Sequence, residues 1–138
     1  MDDGSTALIE GLPSRRELGN QLDNLVIPAD AKVLLNDLLG LTVNVAGRVV
    51  DVGRSILTFL LDLMKRYPGT ALGALVGLTV TILIGSIPVL GVILAPLVGP
   101  LLSAFMITAG ALSDLHHSAV ERQITLYSAK LDAALEAR

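Results

Sequence analysis

No charged side chain occurs between Arg66 and Asp114 in this chain of 138 residues. The uncharged run, Tyr67 to Ser113, is 47 residues long and contains LGALVGLTVTILIGSIPVLGVILAPLVGPLLSAFMITAGAL. A helix that crosses the hydrocarbon of a bilayer needs roughly 20 apolar residues. The run is therefore long enough for two crossings and a turn, and it predicts an integral membrane protein. Away from a membrane, such a run could be buried only inside a shell of other helices.

The rest of the composition narrows function mostly by exclusion. Hydrophobic residues make up 52% of the chain and charged residues 17%, with a mean hydropathy of +0.68. The net charge is −3, from 10 basic and 13 acidic residues, and no basic block is present to attract nucleic acid. The absence of Cys excludes disulfides, thiolate nucleophiles and Cys-ligated metals. His116 and His117 are the only histidines. Adjacent residues on a helix point about 100° apart, so this pair does not converge on a metal. No nucleophile elbow, zinc-protease motif or phosphate-cradling Gly-rich loop occurs, so neither an enzyme nor a cofactor is expected. The acidic start, MDDGSTALIEG, lacks the pattern of a signal peptide, which leaves insertion to the internal apolar segment.

The pattern divides the chain into four regions of an all-α membrane protein. Residues 1–29 form a polar lead with short helices. Within it Ser14 and Glu17 have capping-box spacing, and Leu18, Leu22 and Leu25 share one face. Residues 30–66 predict one long amphipathic helix of about 55 Å, with Asp30 as its N-cap. Polar residues recur along it every seven positions: Asp30, Asp37, Asn44, Asp51, Thr58 and Lys65, with Arg48, Arg54, Ser55, Asp62 and Arg66 beside them. The charged residues from Arg48 to Arg66 cover only about 120° of the helical wheel, so the rest of the circumference must be buried. Asp37, Asn44, Arg48, Asp51, Arg54, Thr58, Asp62 and Lys65 thus form a candidate polar strip, facing water or lining the lumen of an assembly.

Residues 67–113 predict a transmembrane or re-entrant hairpin with its turn at Gly85-Ser86-Ile87-Pro88. The spans are Gly69–Gly85 and Val89–Ser113, and Pro96 and Pro100 offer a competing turn. Small residues recur every fourth position in both. One ridge is Gly69, Gly73, Gly77, Thr81 and Gly85, and the other is Gly91, Ala95, Gly99 and Ser103. Such ridges let membrane helices approach closely, within the hairpin or between copies. Residues 114–138 predict a C-terminal amphipathic helix whose Val120, Ile124, Tyr127 and Leu131 form a short seam, available to a second copy or to the helix over 30–66. Lys65 and Arg66 precede the hairpin and His116, His117 and Arg122 follow it, which predicts both termini in the cytoplasm of a cell bounded by a plasma membrane such as the bacterial inner membrane.

An uncharged, Gly- and Pro-containing hairpin between amphipathic helices resembles the hydrophobic hairpin of pore-forming colicins, and in plan it is similar to small two-span holins. The likeness covers about a third of the chain, involves no diagnostic motif and carries over no functional residue. The expected function is that of a small membrane protein whose copies assemble into a pore or channel. The alternatives are a membrane scaffold, an accessory subunit of a larger membrane complex, or a helical toxin that passes from water into a membrane.

Overall fold

The computed structural model describes residues 12–45, 47–67, 72–105 and 119–136. Six helices and one small antiparallel hairpin account for most of them. In chain order these are α1 (Arg15–Asp23), α2 (Ala29–Leu39), β1 (Val43–Val45), β2 (Arg48–Val50), α3 (Val52–Arg66), α4 (Leu72–Ser86), α5 (Pro88–Ala104) and α6 (Ala119–Glu136). The all-α class is therefore right in its coarse form.

Helix α1 begins as its capping spacing implies. The Glu17 amide donates to Ser14 Oγ at 3.0 Å, which serves one of the free donors of the first turn. Leu18 and Leu22, one turn apart, are fully buried. Pro28 sets the start of α2, and Asp30 lies inside its first turn rather than at the cap. Lys32 Nζ donates to the Asp23 carbonyl at 2.9 Å and ties the two helices together.

The long helix over 30–66 does not form. It breaks after Leu39, where Gly40 donates to the Asn36 and Asp37 carbonyls at 3.3 and 3.2 Å and closes α2. Residues 43–45 and 48–50 then pair antiparallel in the register Val43↔Val50, Asn44↔Val49 and Val45↔Arg48. The cause is local. Val43, Val45, Val49 and Val50 are β-branched, which costs side-chain freedom on a helix but suits a half-buried strand. Gly47 turns the chain at φ +82°, a conformation that side-chain-bearing residues rarely adopt. The heptad of polar residues spans this break, so it does not mark one helical face.

Helix α3 presses its first turn against the end of α2. The Gly53 amide donates to the Leu41 carbonyl at 3.0 Å. A Cβ on Gly53 would lie 2.7 Å from the Leu39 carbonyl oxygen and still closer to that of Leu38. Past this point α3 buries Ile56, Leu57, Leu60, Leu61 and Leu63 and turns Asp62, Lys65 and Arg66 outward.

The uncharged run supplies α4 and α5, which meet at Ile87, with Pro88 opening α5. Helix α4 is sheathed: Leu75, Val76, Gly77, Leu78, Thr79, Val80 and Leu83 are buried, beneath α3, α5 and α6. Helix α5 buries Leu90, Leu94 and Leu101 and leaves its opposite face open. It continues through Pro96 and Pro100 without a second turn. Both prolines lie on the open face, along with the carbonyls of Val92 and Pro96 that they deprive of a donor. At about 1.5 Å per residue, α4 and α5 are roughly 22 and 25 Å long, against roughly 30 Å of bilayer hydrocarbon. Among the described residues no helix is long and apolar enough to cross a membrane.

Candidate functional site

The candidate site is the α4–α5 hairpin together with the shell that covers half of it. The two small-residue ridges meet the opposite side of the hairpin at one position each, Gly73 and Gly91, and otherwise turn away from it. Gly69 lies outside the described residues. Gly73 meets Phe105 just past the end of α5, where an added Cβ would sit 2.8 Å from the Phe105 Cβ. Gly77 is buried, and Thr81 donates to its carbonyl at 2.7 Å. Thr81 and Gly85 are exposed, and nothing crowds Gly85. On α5, Gly91 lets the turn close against the Ile84 carbonyl, 3.3 Å from its would-be Cβ. Ala95, Gly99 and Ser103 face outward, with open space at Gly99.

This contrast makes a prediction. Gly73→Leu should lower the unfolding free energy by about 1–3 kcal/mol through overpacking against Phe105. Gly99→Leu, which meets open space inside a helix, should hold the melting temperature or raise it through helix propensity. Thermal melts of the two variants check both statements.

The open face of α5 carries Val89, Val92, Ala95, Pro96, Gly99, Pro100 and Ser103, with no charge among them. Val92 is 79% exposed. The face continues into a groove of about 480 Å³ between α2 and α5, lined by Asp30, Val33, Leu34, Pro100, Ser103 and Ala104. Outward helix faces normally carry charge, and this one does not.

The proposed polar strip is dispersed. Asp37 is exposed on α2, and Asn44 and Arg48 are exposed on the hairpin strands. Asp51 and Arg54 instead clamp the N-terminal segment. Asp51 accepts from Arg15 at 2.6 Å and from Arg54 at 3.1 Å. Arg54 Nε donates to the Pro13 carbonyl at 3.1 Å, and its Nη2 donates to those of Leu12 and Pro13 at 3.0 Å. Burial works against ionisation of Asp51, but the hydrogen bonds and charges of Arg15 and Arg54 outweigh it and hold the carboxyl below its ordinary value. Thr58 bonds back to the Arg54 carbonyl at 2.7 Å. Asp62 pairs with Arg66 at 3.0 Å near the far end of α3, beside exposed Lys65.

The C-terminal seam faces inward. Val120, Ile124, Tyr127 and Leu131 are all buried, and α6 packs on α4. Tyr127 also reaches α3. Its hydroxyl shares a 2.7 Å hydrogen bond with Ser55 Oγ, and its ring stacks on Phe59 at 4.1 Å, 5° from parallel. Burial pushes the phenol far above its ordinary value of 10.0, and the Ser55 bond offsets only part of that. An unfolded tyrosine therefore releases its proton first. The stability tied to a neutral Tyr127 is complete below about pH 10 and is lost as pH rises beyond it, by up to about 1.4 kcal/mol per pH unit. Urea titrations should show this alkaline loss in the parent protein and a shallower one in Tyr127→Phe.

Two further hydroxyls in the core, Thr79 Oγ1 and Ser128 Oγ, find no hydrogen-bond partner among the described residues. Each such group costs about 1–3 kcal/mol. The Asp51–Arg54 pair is legible in its i,i+3 spacing, but neither the two hydroxyls nor the bonds from Arg54 to Leu12 and Pro13 had a local signature, since their partners or interfaces lie far away in sequence. Among the described residues no group of three or more His, Asp or Glu side chains converges to hold a metal. Comparison of the chain with protein-family profiles, with curated proteins and with solved structures found no match.

Proposed function

We propose that this chain is a non-enzymatic membrane-active protein whose copies assemble into a pore, and that the fold described here holds its uncharged hairpin before it meets a bilayer. The observation that carries this reading is the open face of α5, which is outward-facing yet has no charged residue along its whole length. A helix that served only to fill a core would present charge on that side. The sheathing of α4 supports the same reading. Its amphipathic cover, α3 and α6, turns apolar residues inward and charges outward, as a removable shell would. By sequence the uncharged run extends past both helices, over 67–71 and 105–113, which supplies the length that α4 and α5 lack for spanning. The bare carbonyls of Val92 and Pro96 are poorly suited to acyl chains and favour a wet lumen or a neighbouring copy on that face.

The test is flotation and leakage. Purified protein should float with anionic phosphatidylglycerol vesicles, release an encapsulated dye and sediment from detergent as a multimer. Folded protein that stays in the aqueous fraction and leaves every vesicle intact sinks the proposal. Continuity of the α5 face with the α2–α5 groove also suits a scaffold or accessory subunit. That reading predicts flotation without leakage.

A further inference from the structure

We infer that the α4–α6 interface is the seam along which the molecule opens to release the hairpin, and that Tyr127 retains α6 on α3 while it does so. This rests on the membrane reading above. The two buried, unpartnered hydroxyls both lie between the hairpin and its shell, Thr79 on the hairpin side and Ser128 on the shell side. On α4, Gly73 and Ile84 mark the side that meets α5, through Phe105 and Gly91. At about 100° per residue, Thr79 lies roughly 120–140° around the helix from both, turned toward the shell. On α6, Tyr127 marks the side that meets α3. Ser128 is about 100° further round, beside buried Ile124 and Leu135, on a helix whose main packing partner is α4. Both hydroxyls are at most 2% exposed.

The neighbouring α3–α6 contact has the opposite character. Its polar groups are satisfied by the Ser55–Tyr127 bond, and its rings are stacked. The α4–α5 contact seats Gly73 against Phe105 and Gly91 against the Ile84 carbonyl, and is the widest in the fold. The joint with unmet hydrogen-bonding capacity therefore lies between the shell and the hairpin, and separation there returns both hydroxyls to water. The hairpin leaves as a unit, and α6 stays latched to α3.

The Thr79→Val/Ser128→Ala variant tests this by removing both hydroxyls at nearly constant shape. It should melt roughly 4 °C or more above the parent and release dye from phosphatidylglycerol vesicles roughly tenfold more slowly. Hydrogen exchange in α4 and α6 should slow together, with less change in α3. Ser128→Ala alone should move each quantity the same way, which covers a poorly folding double variant. Unchanged or lower melting overturns the inference, as does higher melting with an unchanged leakage rate. If the parent never engages vesicles, the membrane reading fails, and the melting and exchange data still decide whether this interface is the weak one.

Discussion

Gly53→Ala is expected to cost the fold about 3 kcal/mol or more, the upper end for overpacking, because the obstructing atoms are backbone. The new Cβ would meet the carbonyls of Leu38 and Leu39, which end α2. A flexible side chain could rotate away from such a contact, but a carbonyl in the last turn of a helix can yield only if the helix moves. That movement would also break the 3.0 Å bond from the Gly53 amide to Leu41. Gly19 is the control. It lies inside α1 with nothing within 4 Å of its would-be Cβ, so Gly19→Ala should stabilise by up to about 1 kcal/mol through helix propensity and the unfolded chain's entropy. Urea unfolding of the two variants should therefore shift in opposite directions.

Arg54→Ala is the second large effect, expected at about 2–3 kcal/mol. The guanidinium is mostly buried and binds the Leu12 and Pro13 carbonyls as well as Asp51. Its loss frees the segment that leads into α1, and with it the anchoring of Leu18 and Leu22. Arg15 keeps its bond to Asp51, but it is half exposed and compensates little. The acid limb gives an independent measure. Since the folded Asp51 carboxyl lies below its ordinary value of 3.8, its contribution is complete above that value and is lost as pH falls through the folded one. Stability measured between about pH 5 and pH 2 should fall less steeply in Asp51→Asn than in the parent.

The features that sequence predicted are those determined by neighbouring residues. Ser14 and Glu17 marked the start of α1, the Gly85–Pro88 tetrapeptide contains the break between α4 and α5, and the 4-3-4 spacing from Val120 to Leu131 marked an apolar face. The break at residues 40–50 was also visible, in four β-branched valines around Gly47, but a seven-residue polar repeat ran through it and suggested continuity. A repeat that is compatible with a helix does not require one. The small-residue ridges showed that something could come close without showing what does so. Gly73 meets an aromatic ring in the same chain, whereas Gly99 meets nothing within 4 Å. The clamp at Arg54 and the latch at Tyr127 join residues 41 and 72 positions apart, a separation at which no periodicity survives.

The chain has no Trp and only two Tyr. The near-parallel Phe59–Tyr127 stack, 4.1 Å between ring centres, therefore dominates what the folded protein can show in near-ultraviolet circular dichroism. That band is a label-free optical gauge of whether α3 and α6 remain joined, readable in turbid vesicle suspensions by difference and in detergent directly. A hairpin that departs between them leaves the signal standing, and a shell that falls apart erases it.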